Sequence, residues 1–272
     1  MTAPAPALDP STWSPDRITL AWLGHATVLL QLGATRLITD PVLESRIGIG
    51  RGWLKLGPRR YSAPALTPRQ LPPLDGILLT HAHMDHTDRG TLTRLPRRAH
   101  VVVQAGNRDL VRRFHRVSEL AWGGSTQVID VRVTALPARH WGARLIWDRD
   151  RGYGSYLLEW RGHRVLVVGD TADTDVFHPL GAAGGVDVAI MPIGAYDPWI
   201  ANHVSPEQAW AMVQAMGARH VVPIHHNTFR LSREPADEPL RRLLAAAGDE
   251  RHRVVITSIG QHWTLPHLAD QE

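Results

Sequence analysis

Four potential metal ligands fall within six residues, His81-Ala82-His83-Met84-Asp85-His86, directly after the apolar run Gly76–Thr80. A short apolar run of this kind reads as a buried strand. A strand end is rigid and the loop leaving it can curl, so alternate side chains can converge on one point. Neutral imidazoles and a carboxylate suit Zn2+, Mn2+ or Fe2+. On spacing alone, His81 and His83 are placed to share one ion while Asp85 and His86 turn toward a second. The competing reading is a solvated polar loop, and four ligands packed behind a strand weigh against it. Further ligands are expected at other strand ends, because one rim of a sheet sandwich gathers them there.

Three such places occur. Val133–Leu136 leads through Pro137 to His140, Val165–Val168 leads through Gly169 to Asp170, and Val221–Ile224 leads to His225 and His226. Each alone is unremarkable, since His140 could be a surface residue and Asp170 a turn former. Together with the first cluster they describe a site shared by four strand ends.

The rest of the chain supplies the scaffold. Ile18–Leu23 and Thr27–Leu32 read as strands, and Gly33-Ala34 turns into Thr35–Thr39. Residues 41–75 carry many Pro, Gly and Arg and little periodicity, so a long loop that lines a site is expected there. Val101–Val103 is a further strand, Asn107–His115 reads as helical, and Gln127–Ile129 and Val131–Leu136 are strand-like. Arg161-Gly162, between Gly154–Trp160 and Arg164–Val168, is a hairpin signal. Val186–Met191 is a buried strand. Ser205, Pro206 and Gln208 supply an N-cap, a first-turn proline and a capping box for a helix that Gly217 ends. His220–Ile224 is a strand, Glu238–Ala247 a helix closed by Gly248, and Arg253–Thr257 a last strand. Strand-rich halves with intervening helices indicate a layered α/β architecture. No linker or repeat divides it, so one domain over residues 17–272 is expected behind a loose arm over 1–16.

Composition narrows the function. The 272 residues contain no cysteine, which removes disulfides, thiolate metal sites and cysteine nucleophiles together. The formal charge is only +4, and no dense Lys/Arg run is interleaved with aromatics, so nucleic acid is not an expected partner. No apolar run approaches the roughly 20 residues that span a bilayer. The Pro/Ala-rich start lacks a basic end followed by an apolar core, so a cytoplasmic protein is expected. One count stands out, 16 histidines.

The H-x-H-x-D-H motif, a later His140, a later Asp170 and a final His225, in that order from Trp22 to about Trp263, resemble the metallo-β-lactamase superfamily. Further segments narrow the resemblance: Trp22-Leu23-Gly24-His25-Ala26-Thr27, Thr39-Asp40-Pro41, Ala138-Arg139-His140-Trp141, Gly169-Asp170-Thr171, Pro192-Ile193-Gly194-Ala195-Tyr196 and His203-Val204-Ser205-Pro206-Glu207. These are similar to the branch that holds the N-acyl-phosphatidylethanolamine-hydrolysing phospholipase D and its bacterial relatives. The ascorbate-6-phosphate lactonases are a more distant cousin. His226-Asn227 departs from the Trp-Gly usual in that branch.

The resemblance implies a four-layer αββα metallo-β-lactamase-like sandwich. It implies two divalent ions, zinc first and manganese or iron as alternatives. One would take His81, His83 and His140, the other Asp85, His86 and His225, with Asp170 between them. His225 is preferred to His226 because Ile224, His225, Thr228 and Phe229 match the family's Ile-His-x-x-Thr-Phe. The implied chemistry is hydrolysis by a water that the ions activate, with Asp85 handling its proton and His203 meeting the substrate or the leaving group. The implied substrate is a small-molecule or lipid-like phosphodiester; a lactone or another ester or amide on the same ions is the alternative, and a non-catalytic metal-binding protein the third reading. Peripheral membrane contact and a homodimer are compatible with it. His25 and Asp40 are expected to hydrogen-bond to ligands rather than ligate, Tyr196 and Trp199 to wall the pocket, and Ile47, Ile49, Trp53, Leu54 and Leu56 to form an apolar approach.

Overall fold

A computed structural model describes residues 8–50, 54–145, 147–148 and 150–266. Its strands are β1 (Ile18–Gly24), β2 (Thr27–Leu32), β3 (Thr35–Thr39), β4 (Gly76–Leu79), β5 (His100–Gln104), β6 (Arg116–Leu120), β7 (Ser125–Val128), β8 (Val131–Leu136), β9 (Ser155–Trp160), β10 (His163–Val167), β11 (Val186–Pro192), β12 (Ala218–Ile224) and β13 (His262–Thr264). The helices are α1 (Arg89–Leu92), α2 (His178–Ala182), α3 (Pro206–Ala215) and α4 (Glu238–Ala247).

The strands form two mixed sheets. One runs β13-β1-β2-β3-β4-β5-β6 and the other β12-β11-β10-β9-β8-β7. Strands β3 to β6 are mutually parallel, as are β10 to β12, while the hairpin-linked pairs are antiparallel. The expected turns are present. Leu32 pairs with Thr35 across Gly33-Ala34, and Trp160 pairs with His163 across Arg161-Gly162, both of which have positive φ. That is the backbone a two-residue hairpin of matching twist requires.

Three apolar layers follow from the alternation of side chains along the strands. The inner faces of both sheets meet in the largest one, with Leu20, Trp22, Val28 and Leu30 against Val133, Leu158, Val165 and Ile190. The outer face of the second sheet is covered by α3 and α4 through Trp210, Val213 and Leu243. The outer face of the first sheet is covered by Leu92, Leu95, Leu110, Val111 and Phe114, which sit on short turns and a single helical turn. The result is the four-layer αββα sandwich, with one of its two helical layers thin.

Helix α3 starts as its capping box predicts. Ser205 accepts from the Gln208 N–H, and the Gln208 side chain accepts from the Ser205 N–H. Helix α4 spans Glu238–Ala247 with Gly248 as its C-cap.

Two local expectations are corrected. Asn107–His115 holds only a 3-10 turn at Arg108–Val111, because the segment must return to set β6 parallel to β5. Arg253–Thr257 is not a strand: a 3-10 turn runs to Arg253, and Val254 makes one bridge to Val221. The closing strand is β13, which pairs with β1 at the sheet edge. Strand β6 carries no strand signal in its sequence, because it is half exposed and contains Arg, Ser and Glu. Of the expected arm, residues 1–7 lie outside the described residues; residues 8–16 hold a 3-10 turn at Pro10–Thr12 and bury Trp13 under the first sheet.

Candidate metal centre

The site lies where parallel strands of both sheets end. Strand β1 delivers His25, β3 delivers Asp40, β4 delivers His81, β8 leads to His140, β10 to Asp170, β11 to Ala195 and β12 to His225. Loops at the carboxyl ends of parallel strands are where sheets of this kind present ligands. Four of these residues, His25, Asp40, Ala195 and His225, have positive φ. Such backbone costs about 1–3 kcal/mol per residue and persists where the surrounding structure over-determines it. Here it turns side chains inward as soon as each strand stops. Gly169 serves the same end, because a Cβ there would lie 2.5 Å from Gly154 O.

All seven expected ligands meet. Oδ2 of Asp170 lies 3.2 Å from His86 Nε2, 3.3 Å from His225 Nε2, 3.8 Å from His81 Nε2 and 4.0 Å from His140 Nε2. On one side, His83 Nδ1 is 2.9 Å from His81 Nε2 and 3.3 Å from His140 Nε2. On the other, Asp85 Oδ2 is 3.4 Å from His225 Nε2 and 3.7 Å from His86 Nε2. The donor atoms fall into groups that could each hold an ion: His81, His83, His140 and Asp170; His25, Asp85, His86 and His225; and Asp170, His203 and His225, with atoms of each group within 4.8 Å of one another.

Hydrogen bonds on the outer ring edges fix which nitrogen faces inward. Asp40 Oδ2 takes His86 Nδ1 at 2.7 Å. The Thr80 hydroxyl donates to the same oxygen at 2.6 Å and lies 3.0 Å from His81 Nδ1. Because that hydroxyl hydrogen is committed to Asp40, its oxygen accepts from His81 Nδ1–H. His140 Nδ1 donates to the Asn202 carbonyl at 3.0 Å. His81, His86 and His140 therefore each turn Nε2, the nitrogen left to ligate, toward Asp170. The neutral rings turn lone pairs toward a carboxylate, which repels them, and the buried Nε2 atoms of His86 and His225 and Oδ1 of Asp170 have no hydrogen-bond partner. A cation resolves this arrangement of acceptors, and the outer hydrogen bonds are those that orient ligating histidines. The residues fit divalent metal.

Electrostatics split the rings: although burial opposes it, the neighbouring carboxylates favour the charged form of His86 and His225, and an ion binding there would displace those protons. Burial pushes the His83 and His140 pKa down to about 4, holding both neutral. Burial also disfavours charge on His225, but the Asp170 and Asp85 carboxylates outweigh it and raise His225 to about 9. For Asp85 and Asp170, burial alone would favour the protonated form; the histidines around them overcome that and keep both ionised.

His225 faces the centre and His226 does not. The His226 ring stacks on Trp22 with centroids 4.6 Å apart, in the core. His25 Nε2 donates to Asp85 Oδ2 at 3.0 Å, and the His25 backbone N–H donates to Thr228 Oγ1 at 2.7 Å. His203 Nδ1 lies 3.8 Å from Asp170 Oδ2. Asn202 and Thr80 carry no role in the sequence reading, and Trp141 enters it only as part of the segment Ala138–Trp141. Thr80 could have had one, as the polar residue closing an apolar strand; Asn202 acts through its backbone, which leaves no signal.

A cavity of about 310 Å³ opens over Asp85 and Asp170 and is walled by Trp141, Trp199, Leu231 and His203. Trp199 thus lines it, whereas the Tyr196 hydroxyl donates to Glu238, away from the ligands. Among the described residues, the apolar side chains of the long loop do not line this cavity. The loop folds back on itself through the Arg46–Arg59 and Ile49–Leu56 bridges. Ile47 is buried with Val42 and Phe229, Ile49 lines a separate cavity of about 750 Å³, and Trp53 lies outside the described residues.

Known proteins share both sequence and fold with this chain. Residues 35–226 match the family model of the beta-lactamase superfamily domain. An uncharacterised protein of Mycobacterium tuberculosis is 35% identical over 272 residues, covering 95% of this chain and 72% of its own. The N-acyl-phosphatidylethanolamine-hydrolysing phospholipase D 1 of Caenorhabditis elegans is 31% identical over 268 residues, 89% of this chain and 74% of its own. A metallo hydrolase of the archaeon Ignicoccus hospitalis has the same fold, with a TM-score of 0.68 at 20% identity over 92% of this chain and 99% of its own. The chain belongs to the beta-lactamase superfamily and is one of its metal-dependent hydrolases.

Proposed function

We propose that this chain is a phosphodiesterase of the N-acyl-phosphatidylethanolamine-hydrolysing phospholipase D type that works with two divalent ions, zinc first among them. The observation that carries the reading is Oδ2 of Asp170, which stands within 4.0 Å of ring nitrogens from both sides of the site and forms the floor of a tryptophan-walled cavity. His81, His83 and His140 would hold one ion and Asp85, His86 and His225 the other, with Asp170 available to both. When bound, the ions supply Lewis acidity and bring the pKa of a water toward neutrality.

The chain's own residues do the rest. Asp85 is ionised, faces the cavity and accepts the proton of the attacking water, while His25 holds its carboxylate in place. Burial brings the His203 pKa down to about 4, so at neutral pH it is uncharged and offers a ring N–H to a substrate oxygen. Trp141, Trp199 and Leu231 give apolar walls above a charged floor, which suits an acyl-bearing phosphodiester. Among the described residues no helix is long and apolar enough to cross a membrane. Ile49, Leu54 and Leu56 are 62, 59 and 76% exposed, which supports peripheral contact with lipid.

Metal analysis coupled to a substrate panel tests the reading. Bis-p-nitrophenyl phosphate and N-acyl-phosphatidylethanolamine are expected to be cleaved by protein carrying two ions per chain. Turnover of an acyl-homoserine lactone or a cephalosporin alone would sink it, as would Asp170→Ala protein that keeps both its ions and its turnover.

A further inference from the structure

The ligand loop His81–Thr87 is closed partly by itself. Thr87 Oγ1 donates to His81 O at 2.7 Å, and the N–H groups of His86 and Thr87 donate to His83 O at 3.1 and 2.8 Å. The carbonyls of Ala82 and Thr87, both on buried residues, receive their hydrogen bonds from elsewhere: Nη1 of Arg144 donates to both, at 2.9 Å to Ala82. Arg144 pairs with no carboxylate among the described residues, so these two carbonyls are its partners. It sits four residues beyond His140, in a segment folded on itself by Asp148 N–H to Leu145 O at 2.9 Å and by the Gly142–Asp150 bridge.

We propose that Arg144 is a positioning residue that fixes the His81–Thr87 loop against the His140 segment, so that His83 and His140 already face one another before an ion arrives. Three things support the role. The two histidines come from segments 57 residues apart and approach to 3.3 Å, a spacing that no bond within either segment can set. One guanidinium nitrogen reaches carbonyls at both ends of the loop, and a rigid planar group holds such a pair with little further loss of freedom. Met84, on the far side of the loop from Asp85, lines the same 750 Å³ cavity as Arg144, so the strap acts from behind the ligands and not through the substrate cavity. Ligands held in place by such support bind metal more tightly than ligands left to find it.

The inference rests on the two-ion reading, and the test separates them. Ion-free wild type, Arg144→Gln and Arg144→Lys are titrated with Co2+, followed by its visible absorption, and with Zn2+ against a chelating dye. Melting temperatures of the ion-free forms and kcat and KM for bis-p-nitrophenyl phosphate are recorded alongside. Arg144→Gln is expected to lose about tenfold in affinity at one of two sites while the other stays within about twofold, the range seen when a group orienting a ligand is removed. Its kcat falls with KM little changed, and Arg144→Lys lies between, because its ammonium stands on a shorter and more flexible stem than the planar guanidinium. Wild-type affinities at both sites in Arg144→Gln and Arg144→Lys would overturn the proposal whatever the melting temperatures do. If Arg144→Gln fails to fold, Arg144→Lys decides by the same criterion. Wild type that takes fewer than two ions overturns the two-ion reading itself, and the positioning role with it.

Discussion

Nδ1 of His86 lies 2.7 Å from Oδ2 of Asp40, and the same oxygen accepts the Thr80 hydroxyl that in turn faces His81 Nδ1. One carboxylate thereby sets the tautomer of two imidazoles that belong to opposite sides of the site. It also accepts the Thr80 N–H at 2.8 Å through Oδ1, so it ties the end of β3 to the end of β4.

Asp40→Asn keeps the shape and tolerates the positive φ of that position, but its amide cannot accept at both edges. It is expected to weaken ion binding by about 10–100-fold at each side. Metal content after dialysis against a buffered chelator checks this. Retention of both ions at wild-type affinity would remove Asp40 from the account.

Ion removal is expected to destabilise the whole chain, because the site joins four strand ends from two sheets. An ion present at about 100 times its Kd contributes roughly 2.7 kcal/mol per site. In a domain of this size each kcal/mol moves Tm by roughly 2–4 °C. Chelation should therefore lower Tm by about 5–10 °C per ion lost and abolish hydrolysis, and Zn2+ should restore both. A Tm insensitive to chelation would contradict ions bound at this junction.

Trp199 walls the cavity with its indole about half exposed, and its Nε1 donates to Leu231 O at 3.2 Å. Trp199→Ala removes apolar surface that an acyl chain would cover, worth about 1.5–3 kcal/mol for a fully buried large side chain. KM for N-acyl-phosphatidylethanolamine should rise about tenfold or more, with bis-p-nitrophenyl phosphate little affected. Equal losses on both substrates would instead mean that Trp199 supports the centre itself.

His100 supplies a pH prediction away from the metal ligands. Burial, with the Arg116 charge, lowers its pKa to about 4, and its Nε2 lies 2.8 Å from Ser118 Oγ. A histidine whose pKa is depressed on folding stabilises the fold fully above the unfolded value near 6.5. That contribution fades as pH falls from there toward 4. The Tm advantage of wild type over His100→Gln should thus be largest at pH 7 and shrink toward pH 4. An advantage that grows on acidification would reverse the sign and refute the assignment.

Much of the scaffold was legible because it is written in short-range chemistry. The hairpin at Arg161-Gly162, the capping box at Ser205 and the helix closed by Gly248 depend on residues a few positions apart. The errors fell where a segment's partner is distant. Strand β13 exists because β1 offers it an edge 245 residues away, and β6 because β5 does. The polar residues of β6 carry no strand signal of their own, and the β-branched stretch after Arg253 finds only one bridging partner.

The candidate site divides along the same line. The sequence by itself determined that His81, His83, Asp85, His86, His140, Asp170 and a histidine after Ile224 stand at or just past strand ends, because an apolar run followed by a ligand is a local pattern. Only the tertiary structure decided that these ends share one rim, that His225 turns inward while His226 stacks on Trp22, and that Asp40 and the Asn202 carbonyl hold the rings. The reason is physical. Side-chain direction at a strand end depends on the backbone angle taken there and on which neighbour occupies the opposite face, and both are set by the packing of two sheets rather than by the residues on either side.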